Sequence, residues 1–387
     1  MIRFISFLLF TILSSWNLFS QTTVWDSLQH QLQWRNFKVH IPPNYNSSNP
    51  IPLVIALHGG GHDADTMEYI SNLSPKADAS NFMVVYPNGR SFLGLRTWNA
   101  GTCCGPSVTY NVDDVGFIVK MINKLKTQYT IDTSRIYVTG ASNGGMLAYR
   151  LACEKAELFA AVSPVATTMV TTNPCIPSRS VPVLHIHSLP DTRVPYAGGY
   201  GTGYSGIYNP PIDSVINVWA TIDSCQGSWN IVYNQNGVLG KGWTNCSNCS
   251  EVFVYTTSDG GHSWPGGNQT ANGDPPSTSL NATDLIWSFF TSHSLNCIPS
   301  SINDETTSKK INIFPNPTSD FLNIIIPFDN KNLEIVIYNS IGEICFKEQT
   351  NENKDIKIYT NNLSRGIYLL SIFDENRAII IEKFIKE

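Results

Sequence analysis

The sequence predicts an α/β fold, a doubly wound and mostly parallel sheet with helices on both faces, followed by a small all-β sandwich. Three observations carry this. Between residues 51 and 293, short apolar runs alternate with stretches of helical periodicity. One such run, Arg135 to Thr139, passes through Gly140-Ala141-Ser142-Asn143-Gly144 straight into an amphipathic helix. Beyond Cys297 the pattern changes to a polar stretch and then to short β-rich segments without a helix.

Taken in order, Met1-Ile2-Arg3 followed by the apolar run Phe4 to Leu13 reads as a secretory signal peptide, cleaved after Ser20 to leave Gln21. Leu18 is large for the third position before that cut. The alternation from Gln21 to Pro43 predicts an antiparallel pair at the sheet edge. Ile51 to Leu57 is continuously apolar, as a strand covered on both faces must be, and empties into His58-Gly59-Gly60-Gly61. Phe82 to Tyr86 is the next strand. Asp113 and Asp114 open a helix to about Tyr129; adjacent carboxylates cannot share one helix face, so one is read as a cap. The nucleophile strand and the helix Asn143 to Cys153 follow, then strands Phe159 to Val165, Val181 to His187 and Glu251 to Thr256. Asn281 to His293 is the closing helix, with Leu285, Ile286, Phe289 and Phe290 inward.

The Gly-x-Ser-x-Gly turn between strand and helix is the nucleophile elbow of an α/β-hydrolase, and Ser142 is its exposed nucleophile. The helix N-terminus and the Asn143 N–H favour an oxyanion beside it, and Gly60, with Gly61 as second choice, supplies the opposing N–H. Asp191 lies just past a strand end and after Ser142 in the chain, the place of the triad acid; Asp213, Asp223 and Asp259 are weaker competitors. His262, in Gly260-Gly261-His262-Ser263-Trp264, completes the order serine, aspartate, histidine as general base. His185 and His187 share a strand face and read as packing or hydrogen-bonding groups near the site rather than metal ligands. Trp98, Tyr196 and Trp264 are expected to form an aromatic wall for an acyl or sugar group. Ala197 to Tyr208 reads equally as a lid or as a surface loop.

Composition narrows the function classes. The net charge is −5 with no long run of like charge, which speaks against a nucleic-acid or anionic-membrane partner. Of nine cysteines, eight precede residue 300 and suggest disulfides in an exported protein, with pairing unreadable from spacing. Cys246-Ser247-Asn248-Cys249 lacks the second half of a zinc site, so no metal and no cofactor is expected. Cys345, alone in the C-terminal region, is expected to be a small buried residue.

With these residues in view, Val24 to Cys297 resembles the secreted esterases grouped as polyhydroxybutyrate depolymerases and feruloyl or acetylxylan esterases, the carbohydrate esterase family 1 type. The resemblance rests on Leu57 to Gly61, Trp98-Asn99 with Cys103-Cys104-Gly105, Val112 to Phe117, Gly140 to Met146, Asp191 with Val194-Pro195-Tyr196, and Gly261 to Gly266. It implies Ser142, Asp191 and His262 as the triad and a bridge between Cys225 and Cys246. Ser188 departs from the glycine usual after the strand histidine.

Ile298 to Lys310 is polar and aperiodic, a linker. Ile311 to Glu387 then shows seven short β segments, which suggest a β-sandwich. This tail resembles the C-terminal sorting domain of type IX secretion, on Phe314 to Thr318, Tyr338-Asn339 with Gly342, Leu363 to Tyr368 and Lys383 to Lys386. The resemblance implies the type IX machinery as partner, passage across the outer membrane, and a secreted or cell-surface protein. A carbohydrate-binding module is the rival reading, and the tail lacks the tryptophan such a module would present.

The domain boundaries expected are therefore 1–20 signal peptide, 21–297 catalytic domain, 298–310 linker and 311–387 sorting domain. The expected function is a secreted serine esterase acting on feruloyl or acetyl esters of plant polysaccharide. A polyhydroxyalkanoate depolymerase is the alternative, and an acyltransferase or a non-catalytic carbohydrate-binding protein stands further off.

Overall fold

The computed structural model describes residues 22–203, 205–297, 312–325, 333–339, 344–350, 355–374 and 377–387. The signal-peptide and linker readings, and Tyr204 of the suggested lid, fall outside the described residues. The chain divides into two compact units, Met1–Ser300 and Ser301–Glu387.

The first unit begins with β1 (Thr22–His30), β2 (Gln33–Ile41) and β3 (Ile51–Leu57), then α1 (Ala64–Ser71), α2 (Leu73–Ser80) and β4 (Met83–Pro87). A small hairpin, β5 (Arg90–Phe92) with β6 (Leu95–Thr97), and the short α3 (Gly105–Thr109) lead to α4 (Asp114–Gln128). There follow β7 (Ile131–Ala141), α5 (Asn143–Glu154), β8 (Ala161–Val165), β9 (Val183–Ser188), the two-residue pair β10 (Gly199–Tyr200) and β11 (Tyr208–Asn209), and α6 (Ile212–Ile222). β12 (Asn230–Gln235), β13 (Val238–Trp243), β14 (Val252–Thr257) and α7 (Ala282–Thr291) complete the unit.

Ten strands form one sheet in the order β1-β2-β4-β3-β7-β8-β9-β14-β13-β12. The run from β4 to β14 is parallel. An antiparallel pair flanks it at each edge, β1 with β2 and β13 with β12. Strand residues alternate between two cores, as a sheet buried on both faces requires. Leu53, Ile55 and Leu57 join α4, α5 and α6 on one face, while Val54 and Ala56 join α1, α2 and α7 on the other. The sheet is thus doubly wound. The C-terminal antiparallel pair was not expected from sequence, although its hairpin signal is present. Asn236 and Gly237, both at positive φ, join Gln235 to its partner Val238 as a two-residue turn does.

Two local readings hold in detail. Asp113 caps α4, its Oδ1 accepting from Gly116 N at 2.9 Å, while Asp114 is buried and paired with Arg35. In α7, Ile286, Phe289 and Phe290 are buried and Leu285 packs half-buried against the same core. Four disulfides join Cys103 to Cys104, Cys153 to Cys175, Cys225 to Cys246, and Cys249 to Cys297. The two cysteines of Cys246-Ser247-Asn248-Cys249 therefore go to different partners, and the Cys225 bridge implied by resemblance is present.

The second unit holds seven strands: β15 (Asn312–Phe314), β16 (Phe321–Ile325), β17 (Leu333–Tyr338), β18 (Ile344–Thr350), β19 (Asp355–Tyr359), β20 (Gly366–Asp374) and β21 (Arg377–Lys386). They form antiparallel sheets β15-β16-β19 and β18-β17-β20-β21 around Leu322, Ile324, Ile335, Ile337, Leu370 and Phe384. Cys345 corrects one expectation: it is exposed on β18, because its alternation places it opposite the core-facing side of that strand. Among the described residues no helix is long and apolar enough to cross a membrane.

Candidate active site

Each candidate group stands at the carboxyl end of a parallel strand. β3 runs into the glycine loop, β7 into Ser142, β9 into Asp191, and β14 into the loop of His262. Ser142 has φ 52° and ψ −122°, a left-handed conformation held by a crowded crossing of strand and helix. A Cβ on Gly140 would meet Gly144 O at 2.6 Å, and one on Gly144 would meet Leu57 O at 2.2 Å. The backbone of Ser142 is pinned on both sides, its N–H donating to Val165 O at 3.0 Å and its carbonyl accepting from Thr167 Oγ1 at 2.7 Å. The side chain is left to face a cavity of about 220 Å³ lined also by Gly60, Asn143, Arg193, His262 and Trp264.

His262 Nδ1 lies 2.8 Å from Asp191 Oδ2. A carboxylate can only accept, so Nδ1 carries a proton and donates it to Asp191, with Nε2 at the opposite edge of the ring. The other oxygen, Asp191 Oδ1, accepts from Arg193 N at 2.8 Å and Val194 N at 2.9 Å. Burial pushes the Asp191 carboxyl up, but the hydrogen bond and charge of His262, with His187 and the Val194 N–H, outweigh it and hold the group below its ordinary value. Asp191 is thus an anion under the histidine. The competitors sit elsewhere: Asp213 binds Lys241 and Tyr196, Asp223 binds Ser250 and Val181 N, and Asp259 accepts from Ser277.

A directed hydrogen-bond chain supports the loop that carries Asp191. His187 Nε2 donates to Val194 O at 2.8 Å, so its Nδ1 accepts from His185 Nε2 at 3.1 Å, and His185 Nδ1 accepts from Tyr149 O–H at 2.8 Å. Burial lowers both histidines and keeps them neutral. The packing role read for the pair from sequence is the one found. Sequence reasoning missed Asp274, whose Oδ2 accepts from His262 N at 2.8 Å and whose carboxylate faces Arg193 at 3.7 Å. Nothing local marks it, since it lies in a polar loop 12 residues from the histidine.

In the glycine loop, Gly61 N donates to Arg96 O at 2.7 Å, which leaves Gly60 rather than Gly61 to face the cavity. Asn143 is the first residue of α5, where the N–H has no intrahelical acceptor. Its side chain locks onto Trp98, Oδ1 accepting from Trp98 N at 2.7 Å and Nδ2 donating to Trp98 O at 3.1 Å. Trp98 Nε1 in turn donates to His58 O at 2.9 Å. His58 is neutral, burial lowering it to about 3; its Nδ1 donates to Gly59 O and its Nε2 accepts from Gly89 N.

This corrects the aromatic wall. Trp98 is fully buried and braces α5 against the glycine loop, and it does not line the cavity. Tyr196 also lies off the lining, its hydroxyl drawn to Asp213 at 2.7 Å and its ring edge-on to His187. Trp264 alone of the three lines it, with Nε1 donating to Thr283 Oγ1. From the suggested lid, Thr202, Gly203 and Ser205 reach the cavity.

A serine on a strained elbow, with an aspartate and a histidine following in that order on the carboxyl ends of a doubly wound sheet, defines an α/β-hydrolase. Residues 36–188 match the Esterase PHB depolymerase family, and residues 312–387 match the secretion system C-terminal sorting domain. Feruloyl esterase B of Piromyces equi is 27% identical over 237 residues, 59% of this chain and 42% of that protein. The bifunctional acetylxylan esterase/xylanase XynS20E of Neocallimastix patriciarum is 29% identical over 174 residues, 45% of this chain and 24% of that one. The chain therefore spans less than half the length of these two relatives. A probable feruloyl esterase C of Aspergillus niger is 28% identical over 269 residues, 67% of this chain and 85% of that protein.

Proposed function

We propose that the chain is a secreted serine carboxylic-ester hydrolase that works through an acyl-enzyme, with feruloyl or acetyl esters of plant polysaccharide as substrates. The observation that carries this is the pairing of Asp191 with His262 Nδ1 beside Ser142 in one cavity. Ser142 Oγ attacks the ester carbonyl while His262 Nε2 takes its proton, and Asp191 stabilises the imidazolium. The tetrahedral oxyanion turns toward the N–H groups of Asn143 and Gly60. His262 then protonates the departing alcohol, and a water activated by the same nitrogen releases the acid. Trp264 is the aromatic face for the acyl group. The relatives named feruloyl and acetylxylan esterases support the substrate class, and the family's description supports polyhydroxyalkanoate chains as the second reading.

On the same terms, residues 1–20 act as signal peptide and 21–297 as catalytic domain. The linker 298–310 leads to 311–387, a domain addressed to the type IX machinery and carrying the protein to the medium or cell surface; the sorting-domain match supports this. The test is hydrolysis of methyl ferulate, acetylated xylan and a short polyhydroxybutyrate by the chain and by Ser142→Ala. Turnover of one ester class, lost by about 10³-fold or more in Ser142→Ala, is expected. Activity surviving in that variant, or none on any ester, overturns the reading.

A further inference from the structure

A second cavity, of about 400 Å³, lies away from Ser142, where the start of β2 meets the loop after β4 and the β5–β6 hairpin. Three guanidinium side chains line it, Arg35, Arg90 and Arg96, and Trp34, Gln33 and Ser91 stand with them. Arg35 is 5% exposed and sits over the Phe117 ring at 4.0 Å. Its Nη2 donates to Asp114 Oδ1 at 2.7 Å and to Asn88 O at 3.1 Å, while its Nε is buried with no hydrogen-bond partner. A buried donor left unmade is costly, so this guanidinium is held at a cost on the wall of the cavity.

Charge points the same way. Asp114 neutralises Arg35, but among the described residues neither Arg90 nor Arg96 has a carboxylate within ion-pair distance; Arg96 donates to Gly89 O at 3.2 Å. On a chain of net charge −5, this is a local excess of two positive charges in a concave polar site. Arginine forks match the planar geometry of a carboxylate. Trp34, 73% exposed, offers a flat apolar face at the rim, and Gln33 and Ser91 offer hydroxyl and amide partners. A bare inorganic anion could accept from Gln33 and Ser91 but would make no use of the Trp34 face.

We propose that this cavity is a second carbohydrate-binding site that takes a carboxylated sugar, a uronate residue of the polysaccharide that bears the ester. The inference rests on the proposed polysaccharide substrate. The site is also joined to the reacting centre: Arg96 O holds Gly61 N, and Gly89 N donates to His58 Nε2, so the hairpin and the loop that ends in Gly60 share one hydrogen-bonded frame.

The test is calorimetric titration of the full chain with a glucuronate-bearing xylo-oligosaccharide, the neutral oligosaccharide of equal length, and inorganic phosphate. The acidic sugar should bind about tenfold more tightly than the neutral one, and its affinity should fall several-fold from about 50 to about 300 mM salt. Arg90→Gln and Trp34→Ala, both surface changes checked by thermal melting, should each weaken it by about fivefold or more. Equal affinity for acidic and neutral sugars, or unaltered binding in both variants, overturns the proposal. So does phosphate binding as tightly as the acidic sugar with Trp34→Ala without effect, which would mark a simple anion site. Hydrolysis of methyl ferulate does not require this cavity, so its persistence without a uronate preference defeats this inference alone. A uronate preference without any hydrolysis defeats the esterase reading alone.

Discussion

At the residue scale, the pair Asp191 and His262 makes the sharpest claim. Asp191→Asn would present a donor to Nδ1, turn the histidine to the wrong tautomer and leave Nε2 without its lone pair. Turnover of a soluble ester should fall by about 10³- to 10⁴-fold with KM little changed, as read from steady-state kinetics. Asp274→Ala removes the acceptor for His262 N and should lower kcat by about tenfold while thermal stability moves little, because the histidine's side chain keeps Asp191. Asp223 offers a test that does not involve catalysis. Burial pushes its carboxyl up to about 7 from 3.8, against the bonds from Ser250 and Val181 N. The unfolded chain then binds fewer protons than the native one between those values, so stability is fully present below pH 3.8 and is lost as pH rises toward 7. Denaturant unfolding of wild type against Asp223→Asn should show the wild type alone losing stability across that window; parallel curves would refute it.

At the element scale, the elbow is a matter of backbone clearance. A methyl on Gly144 meets the carbonyls of Leu57 and His58 at 2.2 and 2.5 Å, and no side chain can move to admit it. Gly144→Ala should therefore cost several kcal/mol and abolish turnover together, seen as a large drop in melting temperature. The elbow was legible in the sequence because its requirements are local: a strand, a glycine on either side of the serine, then a helix. The edge pair β12 and β13 was legible in principle through Asn236-Gly237, but β12 is exposed at every position and carries no apolar alternation to mark it as a strand. The short helix α3 and the β5–β6 hairpin were equally invisible, being too short for periodicity to register.

At the scale of the whole molecule, three disulfides staple the first unit across separations of 22, 21 and 48 residues. Cys249 and Cys297 are 48 residues apart, so their bond ties the segment before β14 to the segment beyond α7. Replacing both by serine should lower stability by about 2–4 kcal/mol through the freed unfolded state, measured by chemical denaturation under oxidising conditions. A negligible change would mean that packing of α7 already holds that end.

What the sequence determined alone is the part of the molecule set by neighbours in the chain. The strand-helix alternation prescribes a doubly wound sheet. The elbow places Ser142, and strand ends followed by turns make Asp191 and His262 available. What only the tertiary structure decided is which side chains meet. Trp98 and Tyr196 carry the same aromatic chemistry as Trp264, yet the first is turned under the glycine loop by Asn143 and His58, and the second is drawn off by Asp213. Asp274, the partners of six cysteines, and three arginines from two separate stretches come together only when the sheet is assembled. Local backbone preference acts over a few residues, whereas these meetings are fixed by strand order and by which face of the sheet each element covers.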